Sequence, residues 1–485
     1  MDRRGFCLGL GAMSATMSLP SFAAGSGKKR PNIVFVLADD LGWGDLSCYN
    51  PYSMVPMANA NRLATQGVRF TDMHASSAVC TPSRYSILTG RYCWRTELKK
   101  GVLWGESTNL IEEGRMTVAS MLKSEGYYTA GVGKWHLGLG NGAETDYTKP
   151  LHPGPIDHGF DYYFGIPASL DMPPYLYFEN DHVVEQPTSS TVGSKLPRGV
   201  FFRPGPMAPH FVFDEVVPTV TDKAVSILHD RAAHRDQPFF LYVALPSPHT
   251  PWLPLPEYQG KSKAGTYGDY AVETDAMLGK VMQALQETGL AEDTLLIFTS
   301  DNGADWKPGD IDRYGHRANA EWRGEKADIW EAGHRIPFIA RWPGHIPAGT
   351  VSEELGSLTD FMATTAAITG APLPRNAAED SFNLLPALLG KKLAKPIRDT
   401  IVDQSLDGML TIREGQWKLE EGLGSGGFTA PIRVEAAPEG PAGQLYDLAA
   451  DPREMHNLYL KNPEIVEHLS NLLKTYERQG YTRAM

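Results

Sequence analysis

Cys80-Thr81-Pro82-Ser83-Arg84, running on into Tyr85-Ser86-Ile87-Leu88-Thr89-Gly90-Arg91, sets a thiol just ahead of a proline and an arginine. Pro82 suits the first turn of a helix, where its missing N–H costs nothing, and Thr81 and Ser83 can serve orphan amides there. Cys80 is therefore expected at a helix N-terminus, where the dipole and Arg84 both favour an anion, as a nucleophile requires. The competing reading is a buried small hydrophobe, the commonest fate of an isolated cysteine. Two other pairs, Asp39-Asp40 and Asp301-Asn302, offer hard oxygen ligands. Gathering carboxylates is unfavourable without a cation, and with no His or Cys cluster in the sequence the donors point to calcium or magnesium. Taken singly, D-D-x-G and D-N-G are turn or cap signals.

These residues need elements that can bring them together. Asn32 to Ala38 is a continuous β-branched and aliphatic run, as a strand covered on both faces requires, and it ends in Asp39-Asp40. Tyr128 to Gly133 leads to Lys134-Trp135-His136, Phe239 to Leu245 leads to Ser247-Pro248-His249, and Thr294 to Thr299 leads to Ser300-Asp301-Asn302. In open α/β sheets the carboxyl edge is where ligands bind, so these polar residues can converge across hundreds of positions. A fifth run, 336–340, adds a strand without evident chemistry. Helical patterns at 117–125, 219–233 and 269–289 alternate with the runs and imply an α/β fold, a large, mainly parallel mixed sheet sandwiched by helices.

From residue 398 the texture changes to short strand-like pieces, a Gly-rich loop at 422–427 that reads as flexible, and an amphipathic helix at 463–479. A small C-terminal α+β subdomain with an antiparallel sheet is expected over 396–485, after a principal domain over 30–395. Two Pro- and Gly-rich stretches, 151–174 and 197–209, with neighbouring aromatics such as Tyr162, Tyr163, Phe164, Tyr175, Tyr177 and Phe178, read as lids or binding walls, or as loops with rings tucked inward.

The string C-x-P-S-R-x-x-x-L-T-G-R resembles the signature of the type I sulfatases, with Cys80, Pro82, Ser83, Arg84, Leu88, Thr89, Gly90 and Arg91 at its fixed positions. The resemblance implies an alkaline-phosphatase-like fold and a cysteine that a modifying enzyme oxidises to formylglycine. Hydrated, that aldehyde is a geminal diol: one hydroxyl attacks sulfur, and the other, deprotonated, expels sulfate as the carbonyl re-forms. The resemblance also implies one calcium ion held by Asp39, Asp40, Asp301 and Asn302, with the oxygen of modified Cys80 completing the shell. Gly133-Lys134-Trp135-His136-Leu137-Gly138 is similar to another family block, in which Lys134 holds the formylglycine and sulfate oxygens and His136 is the base that frees sulfate. By the same likeness His249 and Lys326 stabilise the leaving alcohol, and Arg84 serves the same centre. Glu325 and Ala332 stand where family members often have Gly. Gln444-Leu445-Tyr446-Asp447-Leu448 resembles the family's C-terminal block, so the likeness spans nearly the whole chain.

A formal net charge of −12 argues against nucleic acid as a partner and leaves attraction of an anionic substrate to local cations in a cleft. Residues 1–24, with Arg3-Arg4 and a short small-residue apolar stretch, read as a twin-arginine-like export signal and imply a periplasmic or extracellular protein, with no stable membrane insertion after cleavage. Export and an aromatic-rich rim suit a sulfated glycan, with His316, Arg317 and Asn319 as candidates for its recognition. The rivals are a phosphomonoester or phosphonate ester hydrolase on the same scaffold, and a non-catalytic sulfoglycan-binding protein that keeps Cys80 as a thiol. Cys48 and Cys93 could pair or stay free.

Overall fold

Every residue of Asn32–Ala38 (β1) is buried, which a strand flanked by partners and covered on both faces demands. The computed structural model describes residues 30–483, and those from 31 onward form one compact unit. The export-signal segment 1–24 lies outside the described residues. Among the described residues the further strands of the main sheet are β2 (Val68–Phe70), β3 (Tyr128–Lys134), β4 (Tyr162–Ile166), β5 (Phe178–Glu179), β6 (His182–Val183), β7 (Phe239–Ala244), β8 (Thr294–Ser300), β9 (Phe338–Arg341) and β10 (Thr350–Ser352). They lie in the order β10-β2-β9-β8-β1-β7-β3-β4-β5-β6. The centre, β8-β1-β7-β3-β4, is parallel throughout, and antiparallel pairs β8–β9 and β4–β5 flank it.

Helices α1 (Cys80–Thr89), α2 (Val216–Ala232), α3 (Gly265–Glu287) and α4 (Phe361–Thr369) cover the sheet in two groups: α2 packs on α3, and α1 packs on α4. A separate four-stranded antiparallel sheet, β11 (Thr400–Gln404), β12 (Leu410–Glu414), β13 (Trp417–Glu420) and β14 (Gln444–Asp447), carries the helix α5 (Pro463–Gln479) through Leu469 and Leu473. No described helix is long and apolar enough to cross a membrane. Cys48, Cys80 and Cys93 are each free.

The structure decides one open alternative, in favour of rings tucked inward, and changes one local expectation. Tyr162, Tyr163 and Phe164 belong to β4, and Tyr163 stacks on Phe178 with ring centroids 5.5 Å apart. Tyr163, Phe164, Tyr175 and Phe178 are buried, so these rings build the sheet edge and not a binding wall. The glycine loop at 422–427 is not loose either. A side chain at Gly427 would meet the Ala327 carbonyl carbon at 2.3 Å, so glycine is there to let two backbones touch.

Glu273 on α3 offers a pH test of the core. It is fully buried, its Oε2 accepts from the Leu255 amide at 2.9 Å, and its Oε1 has no partner. Burial pushes its carboxyl up to about 7. The folded protein thus keeps a proton that the unfolded chain releases near pH ~4.3, so stability falls as pH climbs between the two. Glu273→Gln is expected to match the parent near pH ~4 and to exceed it by ~2 kcal/mol near pH ~8, read by denaturant unfolding.

Candidate active site

Because β8, β1, β7 and β3 run parallel side by side, their carboxyl ends open on one edge. The chain is held in register past the strands: the Asp39 amide donates to the Ser247 carbonyl at 3.0 Å, and the Asp301 amide to Ala38 at 3.1 Å. Cys80 reaches this edge from the first turn of α1, whose N-cap Val79 supplies no side-chain acceptor.

Charge alternates around the centre. Lys134 Nζ donates to Asp39 Oδ2 at 2.6 Å. Arg84 donates Nε to Asp301 Oδ2 at 3.0 Å and Nη1 to the Lys134 carbonyl at 3.1 Å, and its Nη2 lies 2.8 Å from Asp301 and 3.5 Å from Asp39. Asp40 accepts from Asn302 Nδ2 and from Lys326 Nζ, each at 2.7 Å, and its Oδ2 faces His249 Nε2 at 3.7 Å. Donor atoms of Asp39, Cys80 and Asp301 lie within 4.8 Å of one another, as do those of Asp39, Asp40 and His249. Asp39, Arg84, Lys134 and Asp301 have no exposed side-chain surface, whereas His249 keeps 7% and Lys326 8%. These two therefore face whatever enters.

The electrostatics suit a bound cation. Asp39 Oδ1 and Asn302 Oδ1 are buried oxygens without a protein partner, the condition a hard metal relieves. Burial would raise Asp39, but Lys134, His249, Arg84 and Lys326 together hold it well below the usual carboxylate range. Burial and the neighbouring Asp39 push Asp301 up to about 6, and a divalent ion would reverse that. The donor set fits such an ion by type and by distance.

Cys80 departs from the expectation of a stabilised anion. Burial lifts its thiol above the ordinary value despite Lys134 and Lys326, and Arg84 is committed to Asp301 and Asp39. A neutral thiol is a poor nucleophile, so the position calls for chemistry other than a plain cysteine's. His136 is buried, and its Nε2 donates to the Leu103 carbonyl at 2.7 Å. Nδ1 is therefore left with a bare lone pair and no partner. Desolvation, then Lys134 and Arg84, hold the ring well below its usual value, so it is neutral. Asp40 and His136 both sit at positive φ, 65° and 57°, a strain of about 1 kcal/mol or more each that packed surroundings must hold.

Of the recognition candidates, His316 and Asn319 are not brought to the opening. His316 Nε2 bonds Asp45 Oδ1 at 2.7 Å, and Asn319 pairs with both the amide and the carbonyl of Ala304. Both are buried and buttress the loop behind Asp40, whose backbone also accepts from Tyr267 at 3.2 Å. Arg317 is exposed. Asp45, Tyr267 and Leu103 carry no pattern that marks them in sequence.

The sulfatase family model matches residues 31–371. The chain belongs to the sulfatase family. It is a type I sulfatase on the alkaline-phosphatase-like scaffold, a hydrolase of sulfate monoesters. It is 38% identical to an N-acetylgalactosamine-6-O-sulfatase of Bacteroides thetaiotaomicron over 93% of this chain and 94% of that protein. It is 35% identical to human arylsulfatase A, covering 94% and 89% of the two. A solved Bacteroides thetaiotaomicron sulfatase from a core locus for glycosaminoglycan metabolism superposes with a TM-score of 0.82 at 37% identity, over 93% of this chain and all of that one.

Proposed function

We propose that this sulfatase removes a sulfate ester from a sulfated glycan, using residue 80 as formylglycine beside a calcium ion held by Asp39, Asp40, Asp301 and Asn302. The observation that carries the reading is the cluster of Cys80, Asp39 and Asp301 with two orphaned oxygens beside it. When bound, the cation supplies Lewis-acid charge to the sulfate oxygens. Formylglycine, made by a modifying enzyme, supplies a hydrated aldehyde as nucleophile in place of the unreactive thiol.

The chain's own residues do the rest. Arg84 clamps Asp301 and lies against Asp39, whose Oδ1 is left without a protein partner. Lys134, tethered to Asp39, sits where added negative charge on residue 80 and sulfate is offset. His136 Nδ1, bare and neutral, is ready to take a proton. His249 turns Nδ1 to the Thr250 carbonyl at 2.6 Å, leaving Nε2 for the bridging oxygen, and with Lys326 it lines the solvent-facing side where an alcohol departs.

The sugar reading rests on the glycan sulfatases among the relatives and on Trp104. That indole is 50% exposed, follows the Leu103 that holds His136, and lies 4.7 Å under the Arg203 guanidinium. Residues 30–395 carry the chemistry and 396–485 form a supporting lobe. The leader at 1–24 directs the chain out of the cytoplasm.

Matched aryl sulfate and aryl phosphate esters are expected to differ by ~100-fold or more in kcat/KM in favour of sulfate. A preference for phosphate would overturn the sulfatase assignment. A panel of sulfated mono- and disaccharides, scored by sulfate release, tests the glycan reading, and turnover of aryl sulfates alone would contradict it.

A further inference from the structure

A second polar cluster lies away from the catalytic centre. His74 Nδ1 and His334 Nδ1 face each other at 2.9 Å, and Asp403 Oδ2 lies 3.6 Å from His334 Nδ1. One atom of each converges within 4.8 Å, and all three residues are buried. Asp403 Oδ1 has no partner at all. The outer nitrogens are spoken for: His74 Nε2 donates to Asp72 Oδ1 at 2.9 Å, and His334 Nε2 to the Ile329 carbonyl at 3.1 Å. Lys418 Nζ lies 2.7 Å from Glu454, 3.1 Å from the Ile329 carbonyl, and 3.2 Å from both Glu331 and His334 Nε2, so three oxygens can take its protons without the ring. Serving the three oxygens leaves both rings as Nε2–H tautomers, His74 toward Asp72 and His334 toward Ile329. Two bare Nδ1 lone pairs then confront one another, a repulsion that a cation between them relieves.

Anchoring the far nitrogen of each imidazole on a carboxylate or a carbonyl is how proteins orient metal-binding histidines. Charge points the same way. The surrounding ion-pair network holds Arg335, Arg413 and Lys418 against Asp72, Glu331, Glu420 and Glu454, and Asp403 faces His334 beside it. Acidic side chains there outnumber basic ones by five to three, or by five to four with the half-buried Arg323 near Glu420, and burial pushes the Asp403 and Glu420 carboxyls up. A single proton between the rings would leave Asp403 unbonded, whereas a divalent ion takes all three donors. Two imidazoles and one carboxylate are a zinc-type set, unlike the all-oxygen set of the catalytic pocket.

We propose that His74, His334 and Asp403 bind a zinc-class divalent ion as a structural staple. With Zn–N bonds of about 2.0–2.1 Å, tetrahedral binding needs the two nitrogens to part by only a few tenths of an ångström. The staple joins three distant segments. The loop feeding Cys80 already leans on both others: Ala75 N donates to His334 O at 2.7 Å, and Ala78 N and Ser77 Oγ donate to Gln404 O at 2.8 and 2.9 Å. The ion would tie the C-terminal sheet to the approach of the nucleophile.

The test is metal content and cobalt(II) titration of the full chain after chelator treatment, with calcium present in excess to occupy the oxygen site. The expected result is one zinc or cobalt per chain, tetrahedral cobalt absorption, and a melting temperature that rises with zinc. His334→Phe is expected to abolish the absorption. Asp403→Asn, which keeps the shape if the first variant misfolds, is expected to weaken binding by ~10–100-fold. Asp301→Asn is expected to leave zinc stoichiometry unchanged. Absence of zinc or cobalt uptake by the parent, or uptake unaltered in Asp403→Asn, would overturn the site. So would nitrogen-15 NMR showing one proton shared by His74 and His334 that zinc does not displace.

Discussion

Cys80→Ala is expected to reduce sulfate ester hydrolysis by about 10⁴-fold or more, to the level of the background reaction, while the protein still folds. The two halves of that expectation have separate causes. Residue 80 is the position around which the oxygen-lined pocket, Lys134 and Lys326 are grouped, and alanine can be neither oxidised to an aldehyde nor hydrated to a diol. The fold should survive because α1 is held by its nine other buried residues and by Gly90 at its C-cap, not by the sulfur. Loss of one buried sulfur costs about 1 kcal/mol. Steady-state turnover of an aryl sulfate and a thermal melt check the two halves together. Residual activity above ~1% with an intact melt would remove residue 80 from the chemistry.

Asp301 separates charge from shape. Asp301→Ala strands the Arg84 guanidinium, which is wholly buried and has Asp301 as its nearest carboxylate. A buried cation stripped of its partner is expected to cost about 3–5 kcal/mol. Asp301→Asn keeps an acceptor for Arg84 but removes a negative ligand, so it is expected to fold nearly as the parent does and to lose about 10³-fold in activity. High calcium should restore part of that loss. Equal stability of the Ala and Asn variants in denaturant would contradict the ion-pair account, and an Asn variant with parental activity at low calcium would contradict the metal account.

The parallel centre was legible because its strands are unbroken apolar runs, and parallel pairing forces their carboxyl ends onto one edge. Asp39, Asp40, Lys134, His249 and Asp301 could therefore be grouped from residue order alone. β4 was not legible, because its strand lies in a Pro- and Gly-rich stretch and depends on a close approach made elsewhere: a side chain at Gly165 would meet the Gly133 carbonyl at 1.8 Å. His316 and Asn319 read as free polar residues because their partners, Asp45 and Ala304, are set by tertiary packing. Two histidines separated by 260 positions carry no ligand spacing, which is why the sequence offers oxygen donors for a metal and hides the nitrogen ones.

At the heart of the proposed mechanism, an oxygen-lined cation pocket works with a residue 80 that is no longer cysteine. Mass spectrometry of the peptide containing residue 80, taken from native-host enzyme that is turning over aryl sulfate, tests this most directly. The expected peptide has lost its sulfur and carries an aldehyde that hydrazide reagents trap. An intact thiol in fully active protein would contradict that mechanism.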